Sequence, residues 1–327
     1  MSLPPVFAGK LRLPVIGAPL FIISTPDLVI AQCTSGVTGA FPTLNARPVS
    51  QLDEWLHRIT EELAVWDRAH PERPSAPYAA NLIVNKNNAR LEEDLALCMK
   101  WKVPVIITSL GAREDVNHAI HSYGGITLHD IIHNRFAHKA IDKGADGLIA
   151  VAAGAGGHAG TISPFALVQE IREWFSGPLA LSGCIATGRS VLAAIAMGAD
   201  LAYIGSAFIA TKEARAVDDY KQMLIDCGAE DIVYTDLFTG VKGNYLKPSV
   251  ARAGLNPDNL PTDQPGKMHL GTRAREEGAR EEGNGEKRAW RDVWGAGQGI
   301  GAIKDVVPVA DLVDRLEREY QAARAAI

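Results

Sequence analysis

The sequence predicts an α/β protein, a (β/α)8 TIM barrel with a C-terminal insertion and a closing helix. Three observations carry that expectation. Short apolar, β-branched runs alternate with longer amphipathic stretches between residues 15 and 204. Some of these runs, such as Val105-Ile106-Ile107, are apolar throughout, as suits a parallel sheet covered on both faces. No Gly-x-Gly-x-x-Gly follows the first run, which argues against an open dinucleotide-binding sheet. The chain has 327 residues, long for one domain by the usual guide, yet a barrel needs about 250 and accepts insertions.

The elements follow in order. Val15–Leu20 reads as the first strand and Pro26–Ser35 as its helix. Gly36–Pro42 is the second strand. Ser50–Trp66 is a long helix, with Leu52, Trp55, Leu56, Ile59 and Leu63 at helical spacing. Tyr78–Val84, Val103–Ser109 and Gly125–Leu128 are strands three to five, with a helix over Asn88–Lys100. Arg135–Lys143 is a helix with Gly144 as its C-cap. Gly147–Ala152, Leu179–Ser182 and Leu201–Ile204 complete eight strands. Helices over Pro164–Phe175 and Gly188–Met197 separate them, the first with Pro in its opening turn.

After Phe208 the pattern changes. Lys212–Cys227 reads as a helix. Residues 1–240 form the barrel, and residues 293–327 complete it through an amphipathic helix over Pro308–Ala323. Residues 241–292 are rich in Gly, Pro and balanced charge, which predicts a polar, mobile insertion packed near the barrel mouth.

Composition narrows the function. Hydrophobic residues make up 47% and charged residues 22%, enough for a large core. A formal net charge of -5 gives no reason to expect nucleic acid or an anionic membrane as partner. Cys33, Cys98, Cys184 and Cys227 are far apart, with no CxxC and no His/Cys cluster, so neither a zinc site nor a disulfide framework is expected. With no signal-like leader and no long apolar run, the expected location is the cytoplasm.

Chemistry in such a barrel sits on the loops after the strands. Three of them stand out. Gly154-Ala-Gly-Gly-His158-Ala-Gly160 follows the sixth strand, and His158 is its one titratable side chain. Glycines let main-chain N–H groups approach a ligand, and histidine suits proton transfer near neutrality. Ser182-Gly183-Cys184 and Gly205-Ser206 follow strands seven and eight, the recurrent phosphate position of these barrels. The helix opening at Gly188 would add its positive end there. Asn81 interrupts an apolar strand, and a buried amide needs partners, such as the edge of a planar heterocycle. His129 and Asp130 end the fifth strand in the same way. His118, His121, His133 and His138 lack ligand spacing, so exposed or packing roles are expected for them.

Together these stretches resemble the nitronate monooxygenase family, once called 2-nitropropane dioxygenases. The likeness runs from Pro14-Val-Ile-Gly-Ala-Pro-Leu20 through Ala80-Asn81-Leu82, the 154–160 loop and Ser182–Gly188. It continues over Gly198–Phe208, Trp294-Gly-Ala-Gly-Gln-Gly and Val306-Val-Pro-Val. The resemblance implies an FMN enzyme that oxidises nitroalkanes or alkyl nitronates with dioxygen, as a monomer or homodimer. It makes His158 the catalytic base, Asn81 the amide that meets the flavin ring, and Gly183 with Gly205-Ser206 the phosphate site. Ala18 and Gly157 would line the flavin. Pro19, Leu20, His129, Asp130, Ala155, Gly156, Ser182, Cys184, Trp294 and Gln298 complete the expected cofactor-binding set.

Three positions depart from the family pattern: Leu20 replaces a frequent Met, Gly154 a frequent Glu, and Asp130 a common Lys. The last exchange puts an acid where the family has a cation. Two alternatives stand beside this reading: an NAD(P)H-dependent quinone or enoyl-thioester reductase on the same scaffold, and a non-catalytic flavin-binding sensor. IMP-dehydrogenase-like chemistry is disfavoured, since no Cys occurs in 152–165.

Overall fold

The computed structural model describes residues 3–261 and 291–327. Its strands are β1 (Val15–Gly17), β2 (Ala40–Pro42), β3 (Ala79–Ile83), β4 (Val105–Ser109), β5 (Ile126–Ile131), β6 (Gly147–Val151), β7 (Gly157–His158), β8 (Leu179–Ser182), β9 (Leu201–Ile204), β10 (Ile232–Thr235) and β11 (Gly243–Leu246). Eight of them pair in parallel, in the order β1-β9-β8-β6-β5-β4-β3-β2. The ring closes between β1 and the residues before β2: Gly17 N donates to Thr38 O at 2.7 Å and Thr38 N to Val15 O at 3.1 Å.

Between these strands run α1 (Pro26–Thr34), α2 (Val49–Ala69), α3 (Leu91–Lys100), α4 (Glu114–His121), α5 (Asn134–Asp142), α6 (Pro164–Arg172) and α7 (Gly188–Ala196). The chain ends with α8 (Ser206–Ile209), α9 (Asp218–Asp226), α10 (Lys247–Arg252) and α11 (Val309–Ala325). The alternation of side chains along each strand makes two buried layers. Ile16, Ala40, Ala79, Val105, Ile107, Leu128, Ile149, Ala180, Leu201 and Tyr203 fill the interior, and Phe7 joins them. The outward residues meet the helices, as where Leu52, Leu56, Ile59 and Leu63 bury one stripe of α2. The closing helix α11 lies so near α7 that a Cβ on Gly188 would sit 2.0 Å from Leu316 O. Arg12 ties the same helix to the start of the chain through Asp314, at 2.6 Å, and Glu317.

Several elements differ from expectation. β1 ends at Gly17, because Ala18 N makes the last bond, to Ile204 O at 2.8 Å, and Pro19 has no N–H to continue. α4 is a helix that the pattern did not suggest. Residues 212–217 are not helical: Lys212 N donates to Val307 O at 3.0 Å, so this stretch is held beside the closing segment. Within the expected insertion, β11 is wholly buried and pairs with β10 and β7 in an antiparallel sheet. Residues 262–290, the rest of that stretch, lie outside the described residues. No described helix is long and apolar enough to cross a membrane.

Candidate active site

The carboxyl ends of the eight parallel strands form one mouth, and the glycine loop after β6 lies across it. Gly154 and Gly157 have φ of +81° and +68°, which side chains adopt at a cost. Contact demands glycine as well. A Cβ on Gly154 would lie 2.2 Å from Cys184 Sγ, and one on Gly156 would lie 2.7 Å from Gly297 N and 3.1 Å from Ser206 Oγ. The loops after β6, β8 and β9 therefore meet, and segment 295–298 seals them. Gly297 N donates to Ser206 Oγ at 2.9 Å, and Gln298 N to Gly154 O at 2.9 Å.

His158 belongs to β7, where it pairs with Gly243 of β11. Its Nε2 lies 3.0 Å from Thr239 Oγ1, in the turn joining β10 to β11. The hairpin grips the loop at two more points. Asn244 Nδ2 donates to Ala155 O at 2.6 Å, and Tyr234 Oη donates to Ala159 O at 2.7 Å. Burial pushes the His158 pKa down to about 4, so the imidazole is neutral near pH 7.

One wall of the mouth offers main-chain donors. Gly183 and Cys184 follow each other at φ +138° and +58°, so the chain turns sharply off β8. The N–H groups of Gly183, Cys184 and Gly205 donate to no acceptor among the described residues. Ala18 and Leu20 border Gly205, at 3.6 Å and 3.5 Å from where its Cβ would stand. Such a cluster fits an anionic oxygen group. The expected contribution of the helix after Gly188 is overturned. Gly188 N already donates to Glu319 Oε2 at 2.7 Å, and Ser190 N to Thr187 Oγ1 at 3.1 Å. A carboxylate of α11 thus occupies that end of α7.

The opposite wall offers side chains. Asn81 of β3 donates through Nδ2 to Ile107 O at 3.0 Å and to Ser109 Oγ at 2.8 Å. Ser109 Oγ donates to Asp130 Oδ2 at 2.5 Å. Burial pushes the Asp130 carboxyl up to about 6, against the hydrogen bond from Ser109. Tyr203 faces the same interior, its hydroxyl pushed up by burial and by Asp130.

His129 is not brought to this wall. Adjacent strand residues point to opposite faces, and His129 looks outward, its Nδ1 2.6 Å from Thr108 Oγ1. It is 6% exposed, and its pKa is pushed down to about 4 by burial and the nearby Lys139. Trp294 is also spent elsewhere: it stacks on Tyr220 at 4.8 Å and carries Arg252 over its ring at 3.8 Å. Ser182 sits inside at the end of β8, Pro19 stands between Ala18 and Leu20, and Ala155 lies under Asn244. Of the remaining histidines, His118 is exposed on α4 and three others have partners. His133 and His138 stack on Phe136 and Trp174, and His121 pairs with Asp146 at 2.8 Å.

The sequence reading missed Ser109, Thr239 and Asn244. Ser109 carried a faint signal as the polar end of an apolar strand. Thr239 and Asn244 carried none, because both act across more than eighty positions of chain.

Comparisons with known proteins bear on the family and the fold. The family profile described as nitronate monooxygenase matches residues 10–319. A nitronate monooxygenase of Paraburkholderia phytofirmans is 26% identical over 94% of this chain and 92% of its own. A solved nitroalkane oxidase of Streptomyces ansochromogenes superposes with a TM-score of 0.79 at 23% identity, covering 98% of this chain and 100% of that one. FabK from Thermotoga maritima superposes at 0.76 with 21% identity, over 97% of each chain.

Proposed function

This chain belongs to the nitronate monooxygenase family of oxidoreductases, and from that premise we propose that it is an FMN enzyme oxidising alkyl nitronates and nitroalkanes with dioxygen. The observation that carries the reading is His158, a neutral imidazole fixed by Thr239 on the loop after β6, beside main-chain N–H groups after β8 and β9 that have no acceptor among the described residues. The residues fit the cofactor. Gly183, Cys184, Gly205 and Ser206 would hold its phosphate, Ala18, Pro19, Leu20 and Gly157 would line it, and Asn81 and Asp130 would meet its ring. When bound, the flavin supplies the redox chemistry, taking electrons from substrate and passing them to dioxygen.

The protein's own work is positioning and proton transfer. His158 stays unprotonated at neutral pH and can take the α-proton of a nitroalkane. When the substrate arrives as an anionic nitronate, its charge favours protonation of the imidazole, and His158 becomes its hydrogen-bonding counter-ion. Gly297 and Gln298 hold the glycine loop against Ser206 and so fix the position of the imidazole it carries.

The test uses purified protein loaded with FMN. His158→Asn is expected to keep its flavin and lose nitroalkane turnover by roughly 10²–10⁴, the usual worth of a general base. Unchanged turnover would remove His158 from that role. Rapid anaerobic bleaching by NADH or NADPH, with no nitronate turnover, would replace the proposal with a reductase.

A further inference from the structure

The chain Asn81–Ser109–Asp130 has a fixed direction. Ile107 O can only accept, so the amide atom facing it is Nδ2. The same Nδ2 uses its second proton on Ser109 Oγ, which leaves that hydroxyl's own proton for Asp130. From Asn81 through Ser109 the donors therefore run toward the carboxylate, and Asn81 Oδ1 has no hydrogen bond among the described residues. The wall ends in an acceptor at Asn81 and an acid at Asp130. It stands opposite the main-chain donors, because β8 and β9 lie across the ring from β3 and β4. A ligand with its phosphate on the donor wall must lay its far, planar end against this one.

We propose that Asp130 is the residue that sets the reduction potential of the bound flavin, by placing a carboxylate, oriented by Ser109, against the ring edge. The inference rests on the FMN reading above. At pH 8, two-electron reduction adds two electrons and one proton to the ring, so the reduced form carries one more negative charge than the oxidised form. A neighbouring carboxylate opposes that gain, lowering the potential and favouring release of electrons to an acceptor such as dioxygen. No described cation faces Asp130 inside the barrel. Tyr203 is the titratable neighbour there, while His129 and Lys139 lie on the outer face. With a pKa raised to about 6, Asp130 is ionised at pH 8.

The experiment is an anaerobic redox titration of the FMN-loaded protein at pH 8, followed by flavin absorbance. Asp130→Asn keeps an acceptor for Ser109 and removes the charge. It is expected to favour reduction at least tenfold, about 30 mV for a two-electron couple. Asp130→Lys is expected to move further in the same direction. Asp142→Asn, on the exposed side of α5, removes the same net charge and is expected to leave the potential unchanged. A less than twofold change with Asp130→Asn, or an equal change with Asp142→Asn, overturns the proposal. Should Asp130→Asn lose its flavin, Asp130→Lys decides by the same criterion: a rise in potential supports the inference, and an unchanged potential overturns it. Failure of the unmodified protein to bind FMN would sink the functional reading instead.

Discussion

The two walls of the mouth hold a ligand by opposite means. On the β8–β9 side the grip is main-chain N–H, offered by Gly183, Cys184 and Gly205. On the β3–β5 side it is a directed run of side chains, Asn81 to Ser109 to Asp130. The first depends on backbone shape and hardly on which small residue is present. The second depends on three side-chain identities and little on local conformation. The difference separates cofactor retention from cofactor tuning, and substitutions should divide the same way.

The largest expected effect is at Gly183. A side chain there meets Ala153 O at 2.8 Å in a left-handed conformation, φ +138°. Gly183→Val should cost about 1–3 kcal/mol of strain and abolish FMN binding, read by flavin fluorescence. Retention of flavin by this variant would break the comparison outright. Next comes Thr239→Val, which takes the hydrogen-bond partner from His158 Nε2. Turnover should fall about tenfold, the worth of one hydrogen bond, with flavin affinity unchanged and Thr239→Ser restoring the rate.

Acid stability gives a third, smaller test. His129 and His158 have folded pKa values near 4, below the free value of 6.5, so the unfolded chain binds protons that the folded one refuses between these limits. Each therefore loses stability as pH falls from 6.5 to 4. Asp130 acts oppositely, holding its proton in the fold below about 6. Asp94, raised by burial, acts with it. Asp130→Asn removes one of these two opposing carboxyls, so between pH 7 and pH 4.5 its urea midpoint, measured without flavin, should fall further than that of the unmodified protein. The smallest effect belongs to Cys184→Ser. The thiol's contacts with Ala153 O and Gln298 Oε1 are 4.0 Å long, so flavin affinity should change less than twofold.

Much of this was legible in residues 15–204. Leu179–Ser182 and Leu201–Ile204 match their strands to the residue, because in a parallel barrel each strand is an apolar run cut off by glycine or a helix cap. The glycine loops were legible for a related reason: close contact and left-handed φ leave few residue choices. Side-chain chemistry between strands was not. Nothing local links Asn81 to Ser109, or His158 to Thr239, since barrel stagger and a distant hairpin bring them together. His129 shows a signal present but unused, as period-two alternation already forbade it from sharing a face with Asp130. The end of α7 shows a different limit: a helix start offers donors only until another part of the chain claims them, as Glu319 does.

The hairpin of β10 and β11 meets the mouth through the loop that carries His158 and through residues 294–296, which pair with β11. Mild heat or denaturant that unseats this hairpin would free the imidazole while the strands beneath stay paired. Failure should then come in two stages: the preparation would remain yellow after it had stopped turning over, and cooling would restore catalysis without added flavin.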